Sequence, residues 1–184
     1  QIDIIMASVT ANGLTSLLVT YNIALAAAPP FDIGFYRSDN TAYEPGDELL
    51  DTVSVTAPGD LTVGSHTLTF TIGSGANQVA LPGAGAAETD SDYFLLAVAD
   101  PANLVAETDA DPWNEDNTAV FRSVYHPAGG GVYVHGIAGN DTVVLGAPVK
   151  VTVNGTVYTY TDADVTGLRI RTHEGNDIVS GSTV

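Results

Sequence analysis

The sequence predicts an all-β protein, and three features carry that expectation. Apolar and polar residues alternate at period two along most of the chain, helical periodicity is nearly absent, and clusters of Pro and Gly cut the alternating runs into short pieces. The clearest run is His66–Ile72, with Leu68, Phe70 and Ile72 on one side and Thr67, Thr69 and Thr71 on the other. Phe31–Tyr36 repeats it, with Phe31, Ile33 and Phe35 expected inward and Asp32, Gly34 and Tyr36 outward. Further strands are expected at Ile2–Thr10, Leu14–Ala26, Glu48–Val55, Tyr93–Ala99 and Thr118–Tyr125. Ala28-Pro29-Pro30, Glu44-Pro45-Gly46-Asp47, Ala57-Pro58-Gly59-Asp60 and Gly73–Ala76 supply turns between them. Short strands punctuated in this way describe an immunoglobulin-like antiparallel β-sandwich over residues 1–126.

The composition changes at Pro127-Ala128-Gly129-Gly130-Gly131, which reads as a Gly-rich hinge. Residues 132–184 carry shorter strands, expected at Val132–His135, Thr142–Leu145, Val149–Val153, Val157–Tyr160, Leu168–Arg171 and Ile178–Val179. Asn154-Gly155 lies between two alternating runs and predicts a two-residue type I′ hairpin. Two near-copies flank it, Gly139-Asn140-Asp141-Thr142-Val143 and Gly175-Asn176-Asp177-Ile178-Val179, 36 residues apart. A repeat at that spacing predicts a small C-terminal β-solenoid region, in which each rung buries its apolar face on the next. Two rungs are fewer than the three or so that usually stabilise such a stack, so open strand edges are expected at its end. Those edges suit β-addition between copies of the chain, head to tail, with Ile2–Val9 as a strand to donate or dock.

Charge narrows the function. The chain of 184 residues has 22 acidic and 5 basic side chains, a net charge of −17. Between Arg37 and Arg122 no Lys or Arg occurs, yet 15 carboxylates do. Phosphate backbones and anionic lipid repel such a surface, which argues against nucleic-acid partners and membrane docking. The longest mostly apolar stretch, around Leu17 to Pro30, is too short to span a bilayer, so no membrane insertion is expected. Cysteine is absent, which removes disulfides, thiolate metal sites and cysteine nucleophiles. A chain beginning at Gln1 is expected either to have lost a leader or to be part of a longer protein.

The densest chemistry lies in Glu107-Thr108-Asp109-Ala110-Asp111-Pro112-Trp113-Asn114-Glu115-Asp116-Asn117. Glu107, Asp109 and Asp111 fall at alternating positions, and Glu115, Asp116 and Asn117 close the segment, an oxygen-rich set suited to calcium. Without the glycine and flanking helix of an EF-hand, an acidic turn solvated by water accounts for the same residues. Glu88, Asp90 and Asp92 form a second acidic group, and Asp39, Glu44, Asp47 and Glu48 a third. His66, His126, His135 and His173 are scattered singly, and His66 and His135 are expected in surface or hydrogen-bonded roles on strands. No nucleophile elbow or phosphate-cradling loop occurs, and the single lysine, Lys150, makes phosphoryl transfer implausible, so no enzyme is expected. Tyr133, Tyr158 and Tyr160, with Trp113, offer either a sugar-binding platform or ordinary cross-strand packing.

Two family resemblances follow from these residues. Phe31-Asp32-Ile33-Gly34-Phe35-Tyr36, Gly64–Ile72, and Leu96-Ala97-Val98-Ala99-Asp100-Pro101 running into Asn103-Leu104-Val105-Ala106-Glu107 resemble the CARDB domain, the cell adhesion related domain found in bacteria. The Gly-Asn-Asp copies are distantly similar to the calcium-binding RTX nonapeptide, although Ile137 stands where that pattern has glycine. The first resemblance implies a non-enzymatic extracellular module of a bacterial or archaeal surface protein. The second implies calcium at Asp141 and Asp177. The expectation is therefore a calcium-stabilised structural or adhesive protein that self-assembles through β-edges into a surface fibre or matrix. The alternative is a polysaccharide-binding accessory module of a larger secreted protein.

Overall fold

The computed structural model describes residues 2–13, 15–107, 115–146, 150–161 and 165–181. The first part of the chain forms β1 (Asp3–Ala11), β2 (Ser16–Ala24), β3 (Phe31–Ser38), β4 (Glu48–Val55), β5 (Gly64–Ile72), β6 (Gln78–Val79), β7 (Phe94–Ala99) and β8 (Thr118–Val120). The rest forms β9 (Val124–Tyr125), β10 (Val132–His135), β11 (Thr142–Gly146), β12 (Lys150–Val153), β13 (Thr156–Thr159), β14 (Leu168–Arg171) and β15 (Ile178–Gly181). The fold is all-β; among the described residues the only helical pieces are the 3-10 turns Pro58–Leu61 and Glu115–Asn117.

Two sheets, ordered β1-β2-β5-β6 and β4-β3-β7-β8, make the sandwich. Alternation decides which side of each strand is inside. In β2, Leu17, Val19, Tyr21 and Ile23 are buried, and the residues between them are only half-buried. They meet Phe31, Ile33, Phe35, Leu95, Ala97 and Ala99 of the facing sheet in one continuous core. Tyr21 packs edge-on against Phe31 with ring centroids 5.5 Å apart, and Phe35 does the same against Phe70 at 6.1 Å. Each large side chain fully removed from water here contributes about 1.5–3 kcal/mol.

The outward face of β3 is oriented as the sequence predicts, but part of it is covered. The register shifts between Phe35 and Tyr36, a bulge, and Tyr36 is buried with Leu96 and Val98 on the outer side of the sheet. The Tyr43 ring covers it at 4.7 Å. Tyr36 also lies over Gly34, where a Cβ would stand 2.5 Å from the ring, so glycine is needed for this close approach. The turn after β7 is tied by Asp100, whose carboxylate accepts the backbone N–H groups of Leu104 (3.1 Å) and Val105 (2.6 Å).

Beyond the sandwich, the Gly-rich segment expected as a hinge is the tight turn of an antiparallel hairpin between β9 and β10, closed by Gly130 N–H to Pro127 C=O at 2.9 Å. Tyr125 and Tyr133, one on each strand of this hairpin, belong to the sandwich core, so the two regions share packing. The Asn154-Gly155 turn has positive φ at both positions, 49° and 84°, as a type I′ hairpin requires, and joins β12 to β13.

The 36-residue repeat appears as parallel pairing. β10 lies on β14 with Val132 opposite Leu168, and β11 lies on β15 with Thr142 opposite Ile178, both at a separation of 36 residues. Two rungs are therefore stacked in register. Their interior is small: Val124, Val132, Val134, Val143, Val151, Val153 and Tyr160.

Candidate functional site

The acidic 107–117 segment begins against β1. Glu107 bridges to Ile2 in parallel fashion, its Oε2 accepts the Ile4 N–H at 3.2 Å, and Asn117 Nδ2 lies 3.4 Å from both of its carboxylate oxygens. The proposed docking strand Ile2–Val9 is thus partly occupied on this side by its own chain. Glu115, Asp116 and Asn117 make a 3-10 turn packed on β1. Asp109 and Asp111 lie outside the described residues. Asp3 Oδ1 and Asn117 Oδ1 are buried without a hydrogen-bond partner. Both are hard oxygen acceptors, the donor type calcium takes. Among the described residues, however, no three His, Cys, Asp or Glu side chains gather into a metal-holding group.

Asp141 and Asp177 sit elsewhere, in the rung stack, and their carboxylates serve the backbone. Asp141 is 1% exposed; its Oδ2 accepts the Ile137 N–H at 3.0 Å and its Oδ1 the Asn154 amide at 2.6 Å. Asn154 Oδ1 in turn accepts the Thr142 N–H at 2.9 Å, fastening the β12–β13 hairpin to the first rung. Between rungs, Asp177 Oδ1 accepts the Asp141 N–H at 2.9 Å and Asn140 Oδ1 accepts the Asn176 N–H at 2.9 Å. These residues form a side-chain ladder that fixes the 36-residue register, a role that already accounts for both copies of Gly-Asn-Asp.

The rungs are clasped to the sandwich by Arg171, a residue that sequence reasoning missed. Its Nη2 donates to Glu88 Oε1 at 2.7 Å and to the Thr89 and Ser91 carbonyls, while Nε reaches Ser91 O at 3.3 Å. The guanidinium lies 3.9 Å from the Tyr93 ring centroid, and Tyr93 Oη donates to the same Glu88 carboxylate. Arg37 stacks on Tyr93 as well, at 4.9 Å, while it pairs with Glu48 at 2.7 Å and donates to the Ala87 carbonyl. Two of the four arginines in this strongly acidic chain are therefore committed to one tyrosine.

Beside the clasp runs a column of rings. Tyr133 stacks on Tyr125, Tyr125 on His135, His135 lies 5.6 Å from His173, and His173 stacks on Phe94 at 4.0 Å. His135, expected in a surface or hydrogen-bonded role, is 1% exposed, and neither ring nitrogen has a hydrogen-bond partner. Nor are the histidines all isolated, since His135 and His173 are neighbours across the two rungs. Burial holds both imidazoles below their usual pKa, well below for His135, with His173 and Arg171 adding to the effect there. At His173 burial is followed by Asp92, which opposes it, and Arg171, which reinforces it. The repeat itself held the clue. Carrying the 36-residue phase forward places His135 on Arg171 and Ile137 on His173.

A cleft of about 320 Å³ opens nearby, lined by Asp90, Asp92, Arg169, Arg171 and His173 among others. Its mixed charges, with Arg169 3.8 Å from Asp90, give it no single sign to select a ligand. Tyr133 is buried in the sandwich core, Tyr160 is buried and Tyr158 half-buried against the rungs, so none of these three tyrosines stands free as a platform. Trp113 lies outside the described residues. No family model matches the chain, and no curated protein matches it.

Proposed function

We propose that the chain is a non-catalytic structural or adhesive module of the bacterial or archaeal cell surface, which links to copies of itself through β-edges. The supporting observation is the rung stack. It is fastened to the sandwich by a buried Arg171–Glu88 pair, yet it ends in strands β14 and β15 with only one neighbour each among the described residues. A rigid body that carries an uncovered sheet edge is built to join other β-structure. Calcium has a secondary part in this reading, screening the carboxylates of the 107–117 segment and so stiffening the contact between that segment and β1.

Size-exclusion chromatography with light scattering tests the proposal, with calcium and after exhaustive chelation, at physiological salt. Assemblies larger than the 19.0 kDa monomer that dissolve or lose thermal stability on chelation are expected. A monomer indifferent to calcium overturns the reading. If that monomer also binds immobilised glycans, the polysaccharide-binding alternative replaces it.

A further inference from the structure

The two ends of the rung stack are finished differently. On one side the first rung is covered, because β9 pairs antiparallel with β10 and β12 pairs antiparallel with β11. On the other side the second rung, β14 and β15, has no further strand among the described residues. We infer that this side is a binding edge for one more rung, a β-segment carrying its own Gly-Asn-Asp sequence and lying parallel to β14 and β15. The inference rests on the edge-linking reading above but gives this particular edge an uncovered repeat as its occupant, so that copies of the chain would link through its other edges.

The contact between the existing rungs specifies that occupant. Ile178 N–H donates back to Asp141 C=O at 2.8 Å. In a parallel ladder successive residues direct their backbone groups to opposite sides, so Asp177 and Val179 point theirs outward. The side-chain ladder is equally poised to continue. Asn140 Oδ1 receives the N–H of Asn176, and Asp141 N–H is received by Asp177 Oδ1. One rung further on, the corresponding groups are Asn176 Oδ1 and Asp177 N–H, which await an Asn N–H and an Asp carboxylate at the same phase. Glycine is required too: Gly175 has φ +137° and a Cβ there would stand 2.6 Å from the Gly139 carbonyl oxygen, so the next rung must bring a glycine against Gly175.

The β15 half of the edge lacks the devices that normally discourage such pairing, whereas β14 carries Arg169 and Arg171. Ile178-Val179-Ser180-Gly181 contains no charge and no proline, and Ile178 and Val179 are 61% and 51% exposed. In a second copy the first rung cannot fill the place, since its outer side is already held by β9 and β12. The partner is therefore a Gly-Asn-Asp repeat that is not already covered by its own chain.

The test uses the full chain labelled with nitrogen-15 and a synthetic peptide of residues 172–181. The peptide should shift the amide resonances of Asp177, Val179 and Gly181 and slow their hydrogen exchange, leaving those of β1 to β8 unmoved. Replacing the glycine of the peptide that corresponds to Gly175 by valine should abolish the effect. Asn176→Ala in the protein, which removes an amide that makes no bond within the described residues, should weaken binding by about threefold to tenfold. Shifts that a scrambled peptide reproduces, or an unresponsive edge at millimolar peptide, overturn the inference. Concentration-dependent protection of the same amides without peptide overturns it as well, by assigning the edge to a second copy. A chain that remains monomeric yet binds the peptide would retire self-assembly while upholding the repeat-binding edge.

Discussion

The sandwich and the rung stack bury their apolar residues by different rules. In the sandwich, two sheets face each other and each supplies the other's missing half, so residues as far apart as Tyr21 and Phe31, or Phe35 and Phe70, meet across one closed core. The rungs bury theirs by repetition, with Val132 above Leu168 and Thr142 above Ile178. Face-to-face packing ends when the second sheet is in place. Repetition has no natural end, and must be stopped by something of another kind. Here β9 and β12 stop it on one side, and among the described residues no strand stops it on the other. The lesson is that a short repeat can draw on a face-to-face neighbour, here through the Arg171–Glu88 clasp, for contacts that two rungs do not make between themselves.

That contrast breaks most severely at the clasp. Arg171→Ala leaves Glu88 in a setting where its side chain is 18% exposed and its cation gone, and should cost about 3–5 kcal/mol in urea denaturation. Adding Glu88→Gln should recover part of the loss. Equal costs from the single and double variants would show that the pair does not act as a unit. Gly175→Val strikes the stack instead of the clasp. The strained φ and the Gly139 oxygen should together cost about 1–3 kcal/mol, and hydrogen exchange should show β14 and β15 losing protection while β1 to β5 keep theirs. Loss of protection spread evenly over both regions would mean that they unfold as one.

A gentler probe is pH. Folded His135 and His173 resist protonation because they are buried, whereas in the unfolded chain they take up protons near pH 6.5. The unfolded state then binds more protons, so stability should fall as the pH drops through about 6.5, by up to about 1.4 kcal/mol per pH unit for each imidazole. Asp92 and Asp141 soften the effect at His173, while Arg171 and Arg122 sharpen it. His135→Phe keeps a ring in the column and removes one titrating group, so it should flatten the decline measured by urea denaturation between about pH 7.5 and 5.5. An unaltered slope would place the titration elsewhere.

Much of the framework was legible from residue patterns. Glu48–Val55, Val132–His135 and Leu168–Arg171 are strands with the bounds that alternation predicts, and the offset of the two Gly-Asn-Asp copies equals the parallel register. Tyr36 faces outward as alternation places it, but its burial there depends on Tyr43, a loop residue whose position no strand period encodes. The clasp was hidden for a related reason. Arg171 and Glu88 lie in different regions, and in a chain with 22 acids no single carboxylate stands out as the partner of a given arginine. The repeat phase sets Arg171 beside His135 and His173 two residues further on, but the ring column around His135 also requires Tyr93, Phe121 and Tyr125 from outside the repeat.

The clasp also has a consequence for the order of folding. Glu88 and Arg171 are separated by 83 residues, and all the sandwich strands precede Arg171 in the chain. Closing so long a loop is entropically unfavourable before the local strands have formed, and a chain made from its N-terminus has no Arg171 to offer until late. Until that contact closes, Glu88 lacks its Arg171 partner and one face of the Tyr93 ring lacks its guanidinium cover.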